Sequence, residues 1–268
     1  SVMRVWIDDV VVTRPAITSK FYRWNSGGGT WDTSSDSSSL FGDATDVSYW
    51  RDNDESGATS AIHTTVGYLS LTGTDTASAI RDRKVQVIET SVEHSIGIVI
   101  NRGTVLCRVG STEGGDEYLT DRTLRAGYYS LSVTPTGDFF IRLSRSGDVA
   151  ALVDSVSIGQ AAADMTLTTP WTASDLDYVR QRQINDVTFV ACDGRQPKRI
   201  ERLGDDSPRS WGVVEYPPLD GPFRDLNTGP VRLKGSALTG DITLTAERAF
   251  FKSTNVGSLF ELTSAGQE

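Results

Sequence analysis

The chain has 268 residues, 38% of them hydrophobic and 23% charged, a composition that disfavours both disorder and a membrane class. Its length exceeds that of one ordinary β-sandwich and allows two or three separate cores. A net charge of -9, with no run of Lys and Arg, removes the electrostatic footprint of a nucleic-acid binder, so a duplex would slide past rather than adhere.

No apolar stretch approaches the roughly 20 residues a spanning helix needs. Cys107 and Cys192 stand 85 positions apart in strand-like segments, with no CxxC or His-Cys cluster, and read as two buried free thiols.

Arg4 to Thr13 reads as two β-rich runs around Asp8-Asp9, where a two-residue hairpin turn would fall. Residues 1–20 are therefore expected to be a hairpin lead-in from an upstream domain, broken at Arg14-Pro15. From Asn25 to Gly57 the composition shifts to Gly, Ser, Thr and Asp, punctuated by Trp24, Trp31, Phe41, Tyr49 and Trp50. A pure linker would lack these aromatics, so the segment reads as long loops pinned by aromatic anchors.

Between Gly67 and Ile158 short β-rich runs alternate with turn signals, as in Y-L-S-L-T-G-T, V-Q-V-I-E-T, S-I-G-I-V-I-N-R-G, F-F-I-R-L-S and A-L-V-D-S-V-S-I. This spacing predicts an antiparallel sandwich or jelly roll over residues 21–159. Small residues near Gln160 mark a new unit. Thr172 to Asp175 has the form of a capping box and predicts one short helix over Ala173 to Tyr178. Strands are expected at Val187 to Cys192, Lys198 to Leu203 and Trp211 to Tyr216, and Pro217-Pro218 then stops the ladder. V-R-L-K-G-S-A and D-I-T-L-T-A read as strands of a further small β unit that stops unfinished at Glu268. With a strand pair lacking a sheet at one end and an unfinished unit at the other, the chain reads as a piece cut from a longer protein.

Candidate chemistry is sparse, and no catalytic residue, cofactor site or metal site is expected. Trp24 and Trp31, in Gly-rich loops, are the candidate carbohydrate-binding residues, because a sugar ring stacks its C–H face on an indole. Anchoring those loops is their plainer role. Trp50 reads as a core residue at a strand edge. The acidic groups Asp52, Asp54 and Glu55, the pair Asp116 and Glu117, and Asp154 could offer oxygen ligands to Ca²⁺, but no EF-hand spacing is present and solvated loop carboxylates are expected. His94 reads as a strand residue facing a neighbour, and His63 as a residue near a loop. Neither has partners at the spacing of a zinc site or a catalytic triad. No repeat of a β-helical depolymerase is visible.

Two stretches resemble known families. T-T-P-W-T-A-S-D-L-D-Y-V-R-Q-R-Q-I-N-D-V-T-F-V-A-C-D-G-R-Q-P-K-R-I-E-R-L, continued by S-W-G-V-V-E-Y and D-G-P-F, is similar to phage tail nozzle proteins of the tail tubular protein B type. Trp171, Asp175, Leu176, Gln183, Asp186, Val187, Pro197, Arg199, Arg202, Trp211 and Gly221-Pro222 stand at the matching places, while Ile184 departs from a small residue. The stretch from Ser236 to Leu262 resembles the small barrel that follows in those proteins. Y-L-S-L-T-G-T through A-L-V-D-S-V-S-I looks like the jelly roll of carbohydrate-binding modules, a less specific pattern.

These resemblances imply an all-β chain. A jelly-roll β-sandwich at 21–159 would be followed by a small mostly-β platform at 160–225 and the start of a small β-barrel at 226–268. They further imply a structural virion protein of a bacteriophage tail, forming a homo-oligomeric hexameric ring through which DNA exits without sequence recognition; that the chain is not an enzyme is expected from its missing catalytic constellations. Adaptor and fibre proteins would be its partners, and its outer jelly roll would either stiffen the ring through subunit contacts or touch host-surface glycan, with no membrane insertion. The alternative is a carbohydrate-binding module of a bacterial extracellular enzyme.

Overall fold

Alternation of apolar and polar residues decides the architecture, because in an extended chain every second side chain faces the same way. In the computed structural model, described for residues 20–33, 49–87, 89–160, 166–204, 209–216, 229, 231–237, 242–255, 260 and 262, this alternation builds antiparallel sheets. The expected hairpin at 1–20, the anchor Phe41 and the stops at Pro217-Pro218 and Gly221-Pro222 lie outside those residues, save Lys20. The chain forms two compact units, divided after Pro217.

The first unit carries β1 (Lys20–Asn25), β2 (Thr30–Thr33), β3 (Arg51–Asp52), β4 (Thr59–His63), β5 (Tyr68–Thr72), β6 (Ser78–Gln86), β7 (His94–Arg102) and β8 (Val105–Gly110). It continues with β9 (Leu119–Leu124), β10 (Gly127–Val133), β11 (Phe139–Ser146), β12 (Ala151–Gln160), β13 (Arg180–Ile184), β14 (Val187–Cys192), β15 (Arg195–Arg202) and β16 (Trp211–Glu215). Seven of these strands form one sheet in the order β2-β1-β6-β11-β8-β9, with β3 also on β6. Nine form the other, in the order β13-β14-β15-β16-β10-β7-β12-β5-β4.

The two sheets make an all-β jelly-roll sandwich. Ala79, Val85, Cys107, Val109, Phe139, Ile141 and Leu143 of the seven-stranded sheet are buried in one core with Leu69, Leu71, Ile96, Ile98, Ile100, Leu131 and Val153 of the other. In β12 the register slips between Leu152 and Ser155, and the slip lets both Val153 and Val156 face inward three positions apart. Tight turns follow local chemistry. Asn185, with φ of 54°, closes the β13–β14 hairpin, and Asp193-Gly194 closes β14–β15.

The break expected at Gln160 does not separate two sheets. Strands β13 to β16 continue the nine-stranded sheet, because β16 pairs with β10 from Gly127↔Val214 to Ser130↔Trp211. Gly127 permits this approach: a Cβ there would lie 2.7 Å from the Val213 carbonyl oxygen. The expected helix is a 3₁₀ helix at Ala173–Tyr178. Its cap is carried by Asp175, whose carboxylate accepts from both the Thr172 N–H and the Thr172 hydroxyl at 2.8 Å, and these bonds hold its pKa below the usual value.

The second unit shows β17 (Leu233–Gly235) and β18 (Leu244–Ala246) as an antiparallel pair, and a 3₁₀ turn at Ser253–Asn255. Among the described residues no helix is long and apolar enough to cross a membrane.

Strand β6 departs most from its sequence reading. The expected run began at Val85, whereas the strand starts at Ser78 and buries Arg81, Asp82 and Arg83. Asp82, wholly buried, accepts a two-pronged bond from Arg142 at 2.7 Å on each oxygen, and a third from Asn53 at 2.5 Å. Arg81 reaches Asp52 at 2.9 Å and the Ser60 hydroxyl at 2.6 Å, and the Arg83 guanidinium lies 3.6 Å from the centre of the Phe21 ring. Removing one partner of such a buried pair strands the other charge. Asp82→Ala is therefore expected to cost about 3–5 kcal/mol in urea unfolding, and Asp82→Leu with Arg142→Leu to recover most of it. An unchanged urea midpoint for Asp82→Ala refutes this.

Candidate functional site

Trp24 and Trp31 are brought together, although not in the loops where sequence placed them. The turn at Asn25–Thr30 closes a hairpin, with the Asn25 side-chain oxygen accepting from the N–H groups of Gly27 and Gly28 at 3.1 Å. In that register Trp24 stands directly opposite Trp31, and their ring centres are 5.3 Å apart at 59°. Both are half-buried.

Phe21 points into the core, so the alternation turns Tyr22 and Trp24 to the outer face of the seven-stranded sheet. On neighbouring strands the same face receives Lys84 of β6 and Phe140 of β11, which are paired in register. Phe140 meets Trp31 edge-on at 6.1 Å, and the Lys84 ammonium sits 4.1 Å from the centre of the Tyr22 ring. The result is one aromatic patch of Tyr22, Trp24, Trp31 and Phe140.

A polar chain borders it. The Arg51 guanidinium lies 4.0 Å from the centre of the Trp24 ring and donates to Glu113 at 2.7 Å. Asn53 bridges Glu113 and Asp82 with its amide. Through these contacts the patch is tied to the buried Asp82–Arg142 pair. At the other end Tyr22 donates to Asp138 at 2.6 Å, and this bond, with burial and the nearby negative charge, pushes the phenol up to about 12. The Trp31 Nε1–H is buried and has no hydrogen-bond partner among the described residues.

Sequence reading named Trp24 and Trp31 but missed Tyr22, Arg51, Lys84, Glu113 and Phe140. The alternation in K-F-Y-R-W-N was the available signal for Tyr22. The others reach the patch through long-range pairings that no local pattern encodes.

Trp50 is buried at 1% exposure, as a core residue should be. Asp52, Asp54, Glu55, Glu117 and Asp154 accept hydrogen bonds from their neighbours. Asp52 pairs with Arg81, Asp54 accepts from Ser60 and from the Ile80 N–H, and Glu55 accepts from the Ser78 N–H. Glu117 accepts from the Ser111 N–H and hydroxyl at 3.0 Å, which holds its pKa below the usual value together with its own backbone, and Asp154 accepts from Asn101 at 3.0 Å. Among the described residues no three of His, Cys, Asp and Glu gather as a metal site.

His94 is buried, with Nδ1 2.7 Å from the Val92 carbonyl oxygen and the ring edge-on to Phe139. His63 stacks at 4.5 Å on Tyr68. Cys107 and Cys192 are free and buried, and burial pushes the Cys107 thiol up to about 12.

The first unit is thus an antiparallel β-sandwich with an aromatic outer face. No family model matches the chain, and no curated protein matches it. Among solved structures its fold is similar to that of TmCBM61 in complex with β-1,4-galactotriose, at 13% identity and a TM-score of 0.29, over 41% of this chain and 88% of that one.

The Tyr22–Asp138 bond has a measurable signature. A phenol with a raised pKa favours the folded state fully below pH ~10, and that contribution is lost as the pH rises through the folded value near 12. In an absorbance titration Asp138→Asn should return one late-titrating tyrosine toward pH ~10, and Tyr22→Phe should delete it. Identical late titration in all three proteins rejects the assignment.

Proposed function

We propose that the sandwich is a non-catalytic module whose seven-stranded sheet contacts glycans with its outer face. The observation that carries this reading is the cross-strand pair Trp24–Trp31, extended by Tyr22 and Phe140 and bordered by Arg51, Lys84 and Glu113. Indole faces take the C–H side of a pyranose, while guanidinium, ammonium and carboxylate groups exchange hydrogen bonds with its hydroxyls. Arg51 already covers one side of Trp24, so a sugar stacks on the remaining aromatic surface.

A glycan array on the whole chain, followed by calorimetry on the best ligand, tests the proposal. Binding is expected to fall at least about tenfold in Trp24→Ala and in Trp31→Ala, folded state being checked by near-ultraviolet dichroism. Val66→Ser, in the exposed β4–β5 turn, should leave it unchanged. Silence of the unaltered chain across the array overturns the reading.

A second reading concerns the protein around this face. We propose a structural protein of a bacteriophage tail, with the sandwich as its outward decoration. Beyond the likeness of residues 168–222 to tail nozzle proteins, one observation favours it. The large apolar side chains Leu176, Tyr178, Ile184, Trp211 and Tyr216 are all exposed along the segment that carries this likeness, as suits a surface covered by assembly. Mass spectrometry of purified virions should find the chain among the tail proteins. Its recovery instead in a bacterial secreted fraction, joined to a hydrolase, establishes the carbohydrate-binding module of an extracellular enzyme.

A further inference from the structure

The nine-stranded sheet overruns its partner. One row of paired residues crosses it from Ile100 through Gly127, Val214, Arg199 and Phe189 to Arg182. Ile100 and Val214 are buried in the core, Arg199 and Phe189 are half-buried, and Arg182 is exposed. The seven-stranded sheet ends at β9, where Arg122 donates to the Leu203 carbonyl oxygen at 2.9 Å. Beyond that contact no sheet among the described residues faces the inner side of β13, β14 and β15.

This overhang holds a cleft of about 390 Å³. Phe189, Ala191, Pro197 and Tyr216 make its apolar floor, Phe189 meeting Tyr216 edge-on at 5.1 Å, and Arg180 and Arg182 stand at its rim. From Arg180 to Arg202 there are six basic residues against three acidic ones, in a chain of net charge -9. Arg195, Lys198 and Arg199 are paired with Asp175, Glu215 and Glu201, so the positive charge offered at the cleft is that of Arg180 and Arg182.

On the opposite side of the same strands rests the 3₁₀ helix at Ala173–Tyr178. Cys192, which alternates away from Ala191, lies 3.8 Å from the Asp175 carbonyl oxygen, and Arg195 pairs with the Asp175 carboxylate at 2.7 Å. This helix projects Leu176 and Tyr178, 64% and 59% exposed, with Asp177 between them. It is an acidic, apolar knob.

We propose that the cleft receives this knob from a second copy of the chain, Leu176 and Tyr178 packing on the apolar floor and Asp177 meeting Arg182. Knob and cleft complement each other in both charge and apolar character, and the contact deepens the assembly reading on which it rests. Each copy gives a knob and receives one.

Native mass spectrometry and disulfide trapping on the full chain test this. The expected result is a closed oligomer, weakened at least about tenfold by Leu176→Asp, a substitution at an exposed position. A mixture of Asp177→Cys and Arg182→Cys chains should cross-link on oxidation, while neither does so alone. An oligomer that forms without the mixed cross-link, or one in which Asp177→Cys links to itself, overturns the contact and leaves the assembly reading standing. A chain that stays monomeric overturns both.

Discussion

A carboxylate with no access to water, at the middle of a sheet, must be neutralised and fully hydrogen-bonded or the fold fails. Asp82 is that group, and its three bonds recruit β11 through Arg142 and the loop after β3 through Asn53. Strand β3, just before that loop, brings Arg51 to Trp24, and Arg51 and Asn53 both donate to Glu113. The aromatic face is therefore held from the side by an ionic network on the same face of the sheet. Such a network fixes geometry more than it adds stability, because the desolvation of its charges offsets much of their attraction.

Much of the sandwich was legible because its strands bury one face and leave the other wet. Tyr68–Thr72 and Phe139–Ser146 were read from short β-rich runs between turn signals, Val187–Cys192 as a strand of the next segment, and the helix at Ala173–Tyr178 from the Thr172 and Asp175 pair. Cys107 and Cys192 behave as the buried free thiols that their isolation implied. Strand β6 resisted because R-D-R-K reads as a solvated surface run, and only partners 21 to 62 positions away make its burial tolerable. Strand β13 resisted for the opposite reason. All five of its residues are exposed, so no apolar periodicity marks it, and its place follows from pairing with β14.

The candidate site was half legible for the same physical reason. An indole in a Gly-rich stretch stands out in any sequence, but the partner that turns it into a surface does not. Trp24 meets Trp31 through a short hairpin, whereas Phe140 comes from more than 100 positions away and Glu113 from the loop between β8 and β9. Separation in sequence, rather than unusual chemistry, hid those residues.

The pairing of β16 with β10 bears on mechanics. A ladder of backbone bonds running unbroken from β13 to β4 contains no tether and no pivot. The aromatic face lies on the other sheet, which is joined to this ladder through the shared hydrophobic core. Whatever grips the overhang also sets the direction in which Trp24 and Trp31 look, and a pull at either end is carried across the ladder as load rather than absorbed as motion.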